Sequence, residues 1–210
     1  MSTLLSALIS RFGESAITEI QGKEGELPLI QLKLDLKSPV TILMTNGLSS
    51  YEMPVPEKVK GREFIELYFC LPSYWDLADT DNPNTNWVFP WIQRLAKHVF
   101  DKQTWYGHGH SMPCGADKKP LSGLMKQNHF FLVDPILLEE ELSPLELGDK
   151  TIYFLAIIPI FKDELDFKVA RGTFKLLEIF NLKGVNEKLD DFRLTSLRGK
   201  WKLFRFLKKA

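Results

Sequence analysis

Between Gln103 and Pro113 the chain reads Gln-Thr-Trp-Tyr-Gly-His-Gly-His-Ser-Met-Pro, placing Trp105, Tyr106, His108, His110 and Ser111 close to one another and to Cys114. Imidazole and thiolate are the ligands zinc prefers, so His108, His110 and Cys114 form the beginning of a metal site. A zinc pattern needs a fourth ligand at regular spacing, and Cys70, His98 or His129 would have to be recruited from afar. On an extended segment, the His108-Gly-His110 spacing puts both rings on one face, which suits hydrogen bonding as well as ligation. Read as nucleophilic chemistry, Ser49, Ser111 or Cys114 would attack with His108 or His110 as base, but no nucleophile-elbow or oxyanion-loop pattern surrounds them. Gly107 and Gly109 are not followed by the Lys and Ser or Thr of a phosphate loop. No metal, cofactor or nucleotide is expected, and the chain is read as a non-enzyme. A metal-dependent or hydrolytic enzyme using His108, His110 and Cys114 is the alternative.

Two acidic clusters, Glu139 to Glu141 and Asp163, Glu164 and Asp166, offer a general acid/base pair, a cation site or a solvated surface facing a basic partner. The solvated surface is the ordinary outcome, and a charged patch beside aromatics steers association. Trp87 and Trp91 read as core, whereas Trp75 and Trp105 lie among polar residues at element edges and are expected to stand exposed as anchors. The candidate binding residues are therefore Trp75, Trp105, Tyr106, His108, His110, Asp163, Glu164 and Asp166.

These groups sit in a chain of 210 residues, 44% hydrophobic and 26% charged, which is enough apolar material for one domain with a substantial core. Formal charge balances at zero, but Arg193 to Ala210 carries seven basic residues and no acid, leaving a body of −7 with a tail of +7. Nucleic-acid binding by the whole protein is not expected. The tail interleaves Trp201, Phe204 and Phe206 with its cations, and its apolar content points to docking on the body. Two isolated cysteines make no disulfide framework, no charged leader precedes the apolar N-terminal residues, and the run Ile152 to Phe161 is too short to span a bilayer. A cytoplasmic protein without membrane attachment is the expectation.

Leu4, Leu5, Leu8, Ile9 and Phe12 share a helical face behind Ser2 or Thr3 and ahead of Gly13. Ile30, Leu32, Leu34 and Leu36 alternate with polar residues as in a half-buried strand. Val40 to Thr45 and Glu63 to Leu71 are apolar on both faces and read as central strands. Leu48 to Gly61, with Pro54 and Pro56, reads as a surface excursion. A helix is expected near Asn86, with Pro90 in its first turn and Phe89, Ile92, Leu95, Ala96 and Val99 as its stripe. Thr151 to Phe161 is the most apolar strand and is placed at the sheet centre. From Asp163 one helix is expected to run to Gly184, with Leu165, Val169, Leu176, Ile179 and Phe180 on one face. The elements follow no strict βαβ rhythm, which gives an α+β fold: a mixed, largely antiparallel sheet packed by helices.

Several stretches, taken in order, resemble the suppressor of fused family: Thr45-Asn-Gly-Leu-Ser49, Glu66-Leu-Tyr-Phe-Cys-Leu-Pro72, the Trp87 to Ala96 helix, and Gly109-His110-Ser111. Pro159-Ile-Phe161, Asp163-Glu-Leu165 and Gly172 ahead of Leu176-Leu177 continue the resemblance, which spans roughly residues 30 to 185. It implies a suppressor of fused-like domain at 1–185, followed by the basic, aromatic extension 186–210. It also implies a protein-binding role: bacterial relatives are associated with immunity proteins that neutralise toxins, and the animal protein grips a peptide of a transcription factor using a second lobe for which this chain has no room. The expected partner is a protein, with a cognate toxin as the first reading, bound by occlusion; a general peptide-binding adaptor is the other alternative.

Overall fold

A computed structural model describes residues 3–115, 117 and 119–197. Helix α1 (Thr3–Phe12) precedes strands β1 (Ile17–Ile20), β2 (Leu29–Leu34), β3 (Val40–Thr45) and β4 (Phe64–Pro72), and helix α2 (Val88–Lys102) follows. Then come β5 (Ser111–Pro113), β6 (His129–Val133), β7 (Leu145–Leu147) and β8 (Lys150–Ile160), and the helices α3 (Lys162–Arg171) and α4 (Thr173–Leu182). Among the described residues the strands form one eight-stranded sheet in the order β1-β2-β3-β4-β8-β6-β5, with β7 paired to β8. The expected α+β architecture is present. All pairings are antiparallel except β4 with β8, where Ile65 faces Tyr153 and Leu67 faces Leu155. A parallel pair needs a crossover, and α2 lies within the one that joins these two strands.

The two-faced strands read from sequence are the central ones. On β4, Ile65, Leu67, Phe69 and Leu71 point into a core shared with α2, which contributes Val88, Ile92, Leu95, Ala96 and Val99. Tyr68 and Cys70 point the other way, into a core closed by Leu4, Leu5 and Leu8 of α1 and by Leu176 and Phe180 of α4. The sheet is therefore the middle of three layers, with β8 beside β4 at its centre.

Three expectations need correction. The helix from Asp163 is two helices, because Gly172 adopts φ 94°, a conformation a side chain disfavours, and ends α3. The break rotates α3 relative to the assumed stripe, leaving Val169 76% exposed while Leu176 and Phe180 are buried. Leu48 to Gly61 is not merely a surface excursion: it holds two 3₁₀ turns, and Leu48 and Met53 are buried. The edge strands β1 and β5 carried no periodic signal.

The chain beyond α4 packs against the body as far as it is described. Leu189 N–H donates to the Cys70 carbonyl, and Glu187, buried, accepts the N–H groups of Ile136, Leu137 and Leu138. Residues 198–210, which hold most of the basic tail, lie outside the described residues.

Candidate functional site

The loop that leaves α2 is shaped by its own backbone. Gln103 takes a left-handed conformation (φ 47°) that ends the helix, and Thr104 N–H returns to the Val99 carbonyl at 3.2 Å. Tyr106 is buried, its ring stacked on His98 and its N–H directed at the Met53 sulfur, 3.4 Å away. Burial pushes the Tyr106 phenol up from its ordinary pKa. Residues 107–110 then make a turn in which His110 N–H donates to the Gly107 carbonyl, and Leu132 fixes the turn to β6 through bonds with Gly109 and His110.

Both glycines of this turn are used sterically. A Cβ on Gly107 would lie 2.7 Å from the Trp105 ring; one on Gly109, already at φ 89°, would lie 2.8 Å from Thr173 Oγ1. Trp105 packs edge-on to His110 with ring centroids 4.3 Å apart.

The result is a cleft of about 310 Å³. The Trp105 to His110 loop and the turn carrying Val55, Lys58, Val59 and Arg62 wall it together with Thr173; Val55, Val59 and Trp105 are half-buried, whereas Ile65 and Leu155 behind them are buried. A cleft of this size, its lining divided almost evenly between polar and apolar surface, has room for a ligand side chain or short segment.

Its polar groups are tied to one another. Arg62 grips Asp134 in a two-pronged ion pair, with Nη1 3.1 Å from Oδ2, and its guanidinium lies 4.4 Å over the Tyr153 ring. His108 Nδ1 accepts the Asp134 N–H at 3.1 Å and stands 3.3 Å from Asp134 Oδ2, so protonating the ring turns the same atom into a donor for the carboxylate. Burial pushes the Asp134 carboxyl up, but the bonds from His108 and Arg62 and the Arg62 charge outweigh it and leave its pKa below the ordinary value. His110 is pushed down, first by burial and then by the charges of Lys168 and Lys58, which keeps it neutral near pH 7. Lys168 donates to Ser111 Oγ at 3.0 Å.

Of the sequence candidates, Trp105, Tyr106, His108 and His110 converge on this cleft, and the others do not line it. Trp75 is not an exposed anchor: it is 4% exposed, packs edge-on against Trp87 and donates its indole N–H to Asp191 at 3.1 Å. Of the acidic group only Asp166 stands exposed. Glu164 is fully buried against Arg193, Asp163 accepts from Thr195 Oγ1, and Asp166 pairs with Lys162. The two histidines sit on a turn rather than an extended segment: both line the cleft, but His108 is held by Asp134 and His110 by Trp105. Cys114 is buried and its thiol pKa is pushed up, the reverse of what activates a nucleophile. Among the described residues no group of three or more His, Cys, Asp or Glu side chains could hold a metal ion. Sequence reasoning missed Lys58, Arg62 and Thr173; the Pro54 to Arg62 run carries charge but no spacing that marks a site.

Against known proteins, residues 26–193 match the family model described as suppressor of fused protein (SUFU). The chain belongs to the suppressor of fused family. No curated protein sequence matches it. Its fold is shared with Sufu in the Sufu–Fu complex (TM-score 0.65, 15% identity, 96% of this chain and 91% of that one). It is shared also with Drosophila Suppressor of Fused (0.66, 15%, 98% and 52%) and with a suppressor of fused homolog from Neisseria gonorrhoeae (0.65, 17%, 92% and 94%).

Stretches that carry the family resemblance form two buried carboxylate cradles in this SUFU domain. Thr45-Asn-Gly-Leu-Ser49 wraps Glu66, whose buried carboxylate accepts the N–H groups of Gly47, Leu48 and Ser49 and the hydroxyls of Ser49 and Thr45. Glu164 accepts the Phe161 N–H at 2.9 Å at the start of α3 and binds both Arg193 prongs and the Ser196 N–H, while Arg193 also donates to the Pro159 carbonyl. These cradles are structural: one fixes the turn after β3, the other fastens the C-terminal segment to β8 and α3. Among the described residues no helix is long and apolar enough to cross a membrane.

Proposed function

We propose that this chain is a protein-binding domain that acts by occlusion, covering a partner with the surface around the Trp105 to His110 cleft, and that the partner is a cognate toxin. The observation that carries the reading is the cleft itself. It is lined by Val55, Val59 and Trp105 alongside cationic groups, and its Arg62 and His108 side chains are each held by Asp134, so what it offers a partner is shape and charge. Family membership supports a protein partner, since a domain of the same fold has been crystallised in the Sufu–Fu complex. Blocking a toxin requires only that its working surface be buried in a complementary interface.

The test is co-expression with the product of the adjacent open reading frame. Cells should survive that product when this chain is present and die without it, and the two proteins should purify as one complex. Survival that is the same with and without this chain, together with no complex, contradicts the toxin reading.

A further inference from the structure

The charges around the cleft say more about its occupant. Lys58, Arg62, His108 and His110 line it, and no described lining residue is a carboxylate. Among the described residues the carboxylate paired with this group is Asp134, which has both oxygens engaged by Arg62 and one of them close to His108. That neutralises Arg62 and leaves the ammonium groups of Lys58 and Lys168 without a carboxylate among the described residues, Lys168 having only the Ser111 hydroxyl as a hydrogen-bond acceptor. Both ammonium charges are felt at His110. Charges of one sign around a low-dielectric concavity attract the opposite sign and disfavour their own.

Resting on the docking role assigned to the cleft above, we propose that its occupant is an acidic segment of the partner, with an apolar side chain against the half-buried Val55, Val59 and Trp105 and carboxylates beside Lys58 and Lys168. These apolar residues supply burial, and the cations select the flanking residues. A segment with basic flanks would place like charges beside Lys58 and Lys168, which costs affinity.

The experiment uses the full chain and three capped, fluorescein-labelled pentapeptides: Glu-Asp-Phe-Asp-Glu, Ser-Ser-Phe-Ser-Ser and Lys-Lys-Phe-Lys-Lys. Fluorescence anisotropy should show binding of the acidic peptide, weakening on the order of tenfold as salt rises from about 0.05 to about 0.5 M, because contacts between exposed charges are screened. The double variant Lys58→Glu, Lys168→Glu should lose roughly tenfold in affinity while keeping the wild-type melting curve, since each charge reversal turns an attraction into a repulsion. Equal binding of acidic and neutral peptides that Val59→Asp abolishes and the charge reversal leaves intact would overturn the acidic preference while leaving the cleft as a docking site. No binding of the acidic peptide also overturns it, and the occlusion reading is then judged on the partner complex alone.

Discussion

Glu66→Ala should lower the unfolding free energy by about 4 kcal/mol, read as a reduced urea midpoint with unchanged slope. The side chain is fully buried and accepts three backbone N–H groups and two hydroxyls, all from residues 45–49. Truncation leaves those donors facing a void, and a buried donor without a partner costs about 1 to 3 kcal/mol, less than additively when several share one cavity. Glu66→Gln keeps the shape and one acceptor, so about half the loss is expected. The two variants also differ in pH response. Burial raises the Glu66 pKa, and the bonds from Ser49, Thr45 and Gly47 counter it only in part. The folded chain therefore holds a proton the unfolded chain has released, and stability declines as pH rises from the ordinary carboxylate pKa through the raised folded value. The Ser49 and Thr45 hydroxyls can rotate to accept from the protonated form. Glu66→Gln should lose this slope; an unchanged slope means that Glu66 is not its source.

Arg193→Ala should cost about 3 to 5 kcal/mol, because it strands a buried carboxylate. Arg193 and Glu164 have side chains 8% and 0% exposed, joined at 2.7 Å, and the guanidinium also lies between the Phe161 and Phe180 rings. A melting temperature lower by about 10 °C is the corresponding reading for a chain of this size. Arg193→Met combined with Glu164→Gln should recover part of the loss, since neither partner is then a buried charge. A single variant as stable as the wild type would show that Arg193 does not anchor the C-terminal segment.

The features legible in the sequence are those written in local periodicity. Alternation marked β2, apolar residues on both faces marked β3 and β4, and the spacing of Ile92, Leu95, Ala96 and Val99 marked α2. The break at Gly172 was hidden because apolar residues continue across it at helical spacing, and only the backbone angle separates a tolerated helical glycine from a terminating one. Site residues followed the same rule. Trp105, Tyr106, His108 and His110 were found together because they are neighbours in the chain, whereas Arg62 and Thr173 reach the cleft from other elements. Burial of Trp75 and Glu164 depends on Asp191, 116 residues away, and Arg193, 29 residues away, and no local pattern encodes such partners. Glu66 stood within the family resemblance, yet its type and position alone gave no sign of the donors that surround it.

The most direct test of occlusion through the cleft is hydrogen–deuterium exchange on the purified complex with the adjacent gene's product. The account predicts that amides in 55–62 and 105–110 gain protection on binding, while those of α1 and β1 exchange as in the free chain. Protection confined to other surfaces, with both walls of the cleft exchanging as before, would contradict it.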